Sequence, residues 1–274
     1  MKFIIIRSML FPMPDKPIIM KDPWSELREE CCEANQRLPK LGIVDLTFGN
    51  VSVGDPELGV IAIKPSGIPY EDLRPDHICI ISLDAKPNAH FQLDLVLAKR
   101  FGTLRPSSDT PTHLRLFQAF PHIRSVVHTH SRNATAFAQA GRSIPCIGTT
   151  QADYFHGEVP VTRRMTAEEI KRHYEWETGN LIVETFQSID PKKINAVLLN
   201  GHAPFIWGTT ANQAVETAFA LEIIAEMTWK SLILDAHSKT LSNAQLDKHY
   251  FRKHSLNAYY GQKNSSSLDL KTDF

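Results

Sequence analysis

Short apolar runs alternate with polar junctions rich in Gly, Pro, Asn and Asp, and the apolar spacing switches between helical and extended periods along the chain. Leu27, Cys31, Ala34 and Leu38 recur at helical spacing between a start at Asp22-Pro23 and a stop near Gly42, which predicts an opening amphipathic helix. Segments 43–47, 59–63 and 78–82 are apolar and partly β-branched between turn residues, so short strands are expected there. A helix over 110–119 should feed the apolar run Ser125-Val126-Val127. Ser131 opens a further helix that Gly141 closes, and Thr166 with Glu169 forms a capping box for a longer one. Between Asn212 and Leu234, Val215, Phe219, Ile223 and Met227 repeat every four residues, which predicts a long helix whose stripe packs on a sheet as core. Segment 243–254 reads as a last helix.

Interleaved strand and helix patterns without a repeat predict a single α/β domain in which helices cover a sheet on both sides. The chain has 274 residues and no Pro/Gly/Ser-rich linker, enough for one substantial core. Residues 1–22 are expected to be an N-terminal extension, 23–262 the domain, and 263–274, rich in Ser, a disordered tail. The opening Met-Lys-Phe-Ile-Ile-Ile is interrupted by Arg7, Pro12 and Pro14, so it reads as neither a signal nor a membrane span, and Met20 is an alternative start.

Charge narrows the function. Lys plus Arg and Asp plus Glu are 30 each, which leaves no global field for nucleic acid or an acidic membrane and favours small-molecule chemistry. Cys31 and Cys32 are neighbours while Cys79 and Cys146 lie far apart, so no disulfide framework or Cys-x-x-Cys knuckle is read, and a reducing cytoplasm is the expected setting.

Candidate chemistry gathers where strands end. His128 and His130 follow Val126-Val127, and positions i and i+2 of an extended chain share a face, so both imidazoles can converge on one ion. His202, after the apolar run 196–199, can complete a facial set of three neutral ligands with a position open for substrate. With 12 histidines in the chain a structural His-x-His pair is the ordinary alternative; the strand-to-turn flanks favour the metal. Three junctions can present backbone N–H groups to an anion: Gly49-Asn50, Lys64-Pro65-Ser66-Gly67 and Pro106-Ser107-Ser108-Asp109. The last is the best phosphate seat, because Ser107 and Ser108 precede a helix. Each junction serves equally well as a turn or cap, and Lys64 as a solvated lysine.

Taken in order, Lys64-Pro65-Ser66-Gly67, Pro106-Ser107-Ser108-Asp109-Thr110-Pro111-Thr112-His113, His128-Thr129-His130-Ser131, 148–155 (GTTQADYF), 174–180 (YEWETGN), 246–250 (LDKHY) and 258–262 (AYYGQ) resemble the L-ribulose-5-phosphate 4-epimerase family, within the class II aldolase and adducin-head superfamily. The resemblance runs from about Trp24 to Gln262. It implies an α/β fold with a central, mainly antiparallel or mixed β-sheet sandwiched between helices, a cyclic homotetramer with sites at subunit interfaces, one divalent metal per subunit, usually Zn2+, and a sugar-phosphate substrate. Carried over by motif, His128, His130, His202 and Asp109 are metal ligands. Gly49, Asn50, Lys64, Ser66, Gly67, Ser107 and Ser108 are substrate and phosphate contacts. Asp153 and Tyr260 are the acid/base pair, which in the family reaches the metal of a neighbouring subunit; read without the resemblance they are a loop cap and a C-terminal aromatic. His249 and Arg252, at i and i+3 on one helical face, are assigned to the phosphate or to an exposed helix pair.

The implied chemistry is inversion at carbon 4 by retro-aldol cleavage between carbons 3 and 4, since the C4–H proton is not acidic. Two alternatives stand beside it. A class II aldolase would release its products, and such aldolases carry glutamate where this chain has Asp109. A non-catalytic adducin-head-like module would be expected to lose the histidines. One departure from the epimerase pattern is a longer segment between Asp84 and Arg105, including the apolar, helix-compatible 91–97; it reads as a lid, a subunit contact, a change to the phosphate loop or a surface elaboration.

Overall fold

The first apolar stripe forms the helix Ser25–Lys40 (α1), burying Leu27, Cys31, Cys32, Ala34 and Leu38, and Gly42 turns the chain away from it at φ 69°. This computed structural model describes residues 22–88, 93–255 and 258–260. The expected extension, apart from Asp22, and the tail lie outside the described residues.

Segment 43–47 forms no strand. Leu46 sits at φ 53° and is 80% exposed, and Phe48 N–H closes a turn on Asp45 O at 3.1 Å. Only Ile43 of that run reaches full burial. The strand begins later, at Asn50–Asp55 (β1), where alternation is hidden because residues on both faces are buried. Val60–Ile63 (β2) and Cys79–Ser82 (β3) match the other expected strands. The longer segment after Asp84 builds a single helical turn, Leu95–Ala98 (α2), and a strand, Lys99–Phe101 (β4). Residues 91 and 92 of the expected helical run 91–97 lie outside the described residues. Next come Thr110–Ala119 (α3), Ser125–His128 (β5), Arg132–Gln139 (α4) and Thr149–Ala152 (α5).

The Thr166–Glu169 capping box is present, but the helix it opens is short. Ala167–Lys171 (α6) breaks at Arg172, whose ψ is −123°, and the chain restarts as Tyr174–Thr185 (α7). Ala196–Leu198 (β6), Pro204–Gly208 (β7), Ala211–Leu234 (α8) and Asn243–His254 (α9) complete the order. The four-residue stripe on α8 is a further correction, since Ile223 and Met227 are 37% and 41% exposed. Each step of four residues overshoots a full turn by about 40°, so such a stripe winds off the buried face. Ala211, Ala214, Val215, Thr217, Ala218, Ala220, Leu221, Ile224, Ala225 and Thr228, one to three residues apart, are the buried residues of the helix.

Among the described residues the strands form one seven-stranded sheet in the order β4-β3-β2-β1-β5-β7-β6, and every neighbouring pair is antiparallel. The segment after Asp84 therefore extends the sheet at one edge. α1 and α8 pack on each other and on the central strands. α3, paired with α7, covers the face that carries Asn50, Ser52 and Gly54. Asn50 bonds Asp109 at 2.7 Å, Ser52 bonds His113 at 2.7 Å, and Gly54 lies under the ring of Phe117. Three helix positions four apart thus meet three strand positions two apart, because four helical residues rise about 6 Å and two strand residues about 6.7 Å.

That register depends on the missing side chain at Gly54, where a Cβ would stand 2.6 Å from Phe117 Cε1. Gly54→Ala is expected to destabilise the fold by about 1–3 kcal/mol through overpacking. Urea unfolding should show a lower midpoint with unchanged slope, partly restored by adding Phe117→Leu. An unaltered midpoint would show that α3 shifts freely.

Candidate active site

His128 ends β5 in the middle of the sheet, opposite Asn50 on one side and Phe205 on the other. Its Nδ1 is bonded to the carbonyl of Pro204 at 2.9 Å, which places the proton there and turns the Nε2 lone pair outward. The face of Phe205 stacks on the ring at 4.2 Å between centroids. His130 and His202 complete the group, with their Nε2 atoms 3.1 Å and 3.3 Å from His128 Nε2. Nitrogens held at 2.0–2.1 Å around a tetrahedral ion stand about 3.3 Å apart, so the three imidazoles fit a divalent metal. Burial moves His202 down to about 4 and lowers His130 as well. Both are therefore neutral at pH 7, the form that ligates.

Asp109, at the start of α3, lines the same cavity but stands outside the close trio. Burial alone would raise its carboxyl; His128, His113 and the Asn50 hydrogen bond outweigh that and keep it below the ordinary carboxylate range. Asn50 Nδ2 holds it, donating to Asp109 Oδ2 at 2.7 Å and to Ser107 Oγ at 2.9 Å. All the junction residues singled out in the sequence, Gly49, Asn50, Lys64, Ser66, Gly67, Ser107 and Ser108, line this cavity of about 300 Å3, together with Thr47, Phe48 and Pro65. A small polar molecule fits such a space.

Two of those junctions are tied to each other. Ser107 N–H donates to Lys64 O at 3.0 Å and Ser66 N–H to Arg105 O at 2.9 Å, so the end of the longer segment meets the Lys64–Gly67 turn directly. Lys64 is not a solvated lysine: it is 2% exposed, and burial lowers its ammonium to about 8. At neutral pH the group is still mostly charged, a cation placed in the wall of a small cavity.

Asp153, Tyr260, His249 and Arg252 form a second cluster, and none of them lines the histidine cavity. Arg252 donates to Asp153 through Nε at 3.1 Å and Nη2 at 2.9 Å, and His249 Nδ1 lies 3.2 Å from the same carboxylate. The Arg252 guanidinium also stands 4.3 Å from the ring centroid of Tyr260. Asp153 is therefore a buttressed carboxylate at the C-cap of α5, and His249 and Arg252 are not a free helix pair. His254, which donates from Nε2 to Asp153 O at 2.8 Å, joins this cluster without a signal in the sequence beyond its place on α9. Phe205 was also missed, although its apolar strand follows directly on His202.

A seven-stranded antiparallel sheet flanked by helices, with three histidines at its strand ends, defines a class II aldolase fold. An L-fuculose 1-phosphate aldolase superposes with a TM-score of 0.67 at 20% identity over 82% of this chain and 94% of its own. The aldolase of that name from Glaciozyma antarctica PI12 superposes with a TM-score of 0.62 at 16% identity, over 90% and 88%. The chain belongs to the Class II Aldolase and Adducin N-terminal domain family, whose pattern matches residues 29–229. The L-ribulose-5-phosphate 4-epimerase UlaF of Salmonella paratyphi B is 42% identical over 238 residues, 87% of this chain and 99% of that protein. No helix among the described residues is long and apolar enough to cross a membrane.

Proposed function

We propose that this chain is an L-ribulose-5-phosphate 4-epimerase, interconverting L-ribulose 5-phosphate and D-xylulose 5-phosphate. The observation that carries the reading is the convergence in one cavity of the imidazole trio, Asp109 and the Lys64, Ser66, Ser107 and Ser108 anion seat. The 42% identity to a 4-epimerase along nearly that protein's whole length supports it.

Ser66, Gly67, Ser107 and Ser108 hold the phosphate on carbon 5, and the Lys64 ammonium adds charge. His128, His130 and His202, with Asp109 beside them, would hold a divalent ion, which would supply Lewis-acid stabilisation to charge on the carbonyl oxygen; zinc is the proposed ion for an N3 donor set. A base takes the proton from the carbon-4 hydroxyl, the C3–C4 pair passes to the three-carbon fragment as its enediolate, and glycolaldehyde phosphate is freed. With the phosphate clamped, its aldehyde turns over and accepts the pair on the opposite face, where an acid returns the proton to oxygen. Asp153 and Tyr260 take these roles, one on each face. Because they sit apart from their own chain's histidines, they serve the cavity of a neighbouring subunit in a homotetramer. The working unit spans 23–262, in the cytoplasm.

The test is a coupled assay of metal-replete protein on L-ribulose 5-phosphate that follows D-xylulose 5-phosphate and glycolaldehyde phosphate together, with His130→Ala as control. Xylulose phosphate without free aldehyde, absent in the control, is the expected result. Sustained aldehyde release would replace the epimerase reading with an aldolase one.

A further inference from the structure

Tyr70 lies on no assigned motif, is 3% exposed and touches both walls of the cavity. Its hydroxyl approaches two carbonyls at once, Phe48 O at 2.8 Å and Gly49 O at 2.9 Å. These oxygens sit just before β1, level with the point where β2 has ended at Ile63 and the next turn has left the sheet. Ser66 N–H is taken by Arg105 O, so the phenol stands in for a strand donor and closes the sheet corner. The same ring presents its face to Lys64, whose Nζ is 4.8 Å from the centroid. An ammonium has three donors, and among the described residues this one has a single long partner, Pro65 O at 3.4 Å. A buried cation so thinly paired costs free energy. The ring quadrupole offsets part of that cost and fixes the direction of the charge.

We propose that Tyr70 is a positioning residue for anion binding: its hydroxyl sets the Phe48–Gly49 wall, and its ring aims the Lys64 ammonium into the cavity. For catalysis this rests on the epimerase reading, since the anion is then the substrate's phosphate or its developing oxyanion. The two arms separate chemically. Tyr70→Phe removes the hydroxyl and keeps the ring face; Tyr70→Leu removes both. A residue that positions a binding group changes affinity and KM while leaving kcat and metal content nearly alone, whereas a residue that merely supports the fold lowers all of them together.

The experiment uses full-length, metal-replete protein, with inorganic phosphate as the calorimetric probe and L-ribulose 5-phosphate for kinetics, in the wild-type and Lys64→Met backgrounds. Tyr70→Phe should weaken phosphate binding and raise KM about three- to tenfold, with kcat within about twofold and metal content unchanged. The further step to Leu should cost another few-fold, on the order of a cation–π contact, only where Lys64 is present. The hydroxyl arm fails if Tyr70→Phe binds phosphate as the wild type does, and the ring arm fails if the step to Leu costs the same in Lys64→Met. Should Tyr70→Leu not fold, Tyr70→Phe still decides the proposal. A wild type that binds no phosphate overturns it outright. A wild type that binds phosphate but does not epimerise L-ribulose 5-phosphate overturns the functional reading alone, and the variants still test Tyr70.

Discussion

His202→Ala is expected to lower turnover at least about a thousandfold and to leave the purified chain without its metal. His202 Nε2 is 3.3 Å from His128 Nε2, and its removal leaves two imidazoles and a carboxylate that Asn50 already holds. Loss of partners that merely orient a ligand costs about 10–100-fold in metal affinity, so loss of a ligand should cost more. Lewis-acid help on the carbonyl oxygen then disappears at working metal concentrations. Metal per chain after dialysis and midpoint shift on adding Zn2+ would both be measured. A wild-type chain at 100 to 1,000 times Kd gains about 3–4 kcal/mol from the ion, and the variant should gain little. Full metal content with full activity in His202→Ala would remove the trio from the mechanism.

The histidine site was legible because its geometry is local. Two positions on one extended face and a third at a strand-to-turn junction need only the strands themselves, and β5 and β6 formed where apolar runs announced them. That the residues of the three junctions line one cavity follows for a related reason, since Gly, Pro and Ser mark where backbone turns into or out of a strand. The strand expected at 43–47 failed because apolar content alone does not exclude a turn, and Leu46 takes a positive φ with its side chain in solvent. β1 was passed over because Asn50 and Ser52 are polar yet buried, their partners Asp109 and His113 lying on a helix about sixty residues on.

Contacts of that kind have no local signature. A solvated Lys64 stayed open as an alternative because the sequence does not show that the turn after it brings the ring of Tyr70, six residues on, back over its ammonium. Asp153 looked like no more than a cap because Arg252, which holds it, lies 99 positions away. The α8 stripe misled in another way: counting by fours finds apolar residues but follows a line that drifts around the helix, and the true buried face is richer in alanine than in large side chains.

The Asp153–Tyr260 cluster yields the second large effect. Asp153→Asn keeps a hydrogen-bonding side chain beside Arg252 and leaves the histidine cavity untouched, so it should retain metal and lose turnover about a thousandfold or more, as expected for a missing acid/base group. His130→Ala should be equally inactive for want of the ion. If the two halves of each site come from adjacent subunits, as proposed, mixed tetramers of these dead chains should recover activity. In a head-to-tail ring, a site is intact where the histidines of an Asp153→Asn chain meet the Asp153 of a His130→Ala chain, which equal random mixing produces about one time in four. Co-expressed variants should therefore show about a quarter of wild-type turnover, with a substrate KM close to normal, since each restored site is complete. Recovery confined to the mixture assigns Asp153 to a neighbour's cavity. A mixture as inactive as its parents would instead make the Arg252–Asp153 pair a structural clasp, and the acid/base groups would have to be sought among Lys64 and Asp109 in the cavity itself.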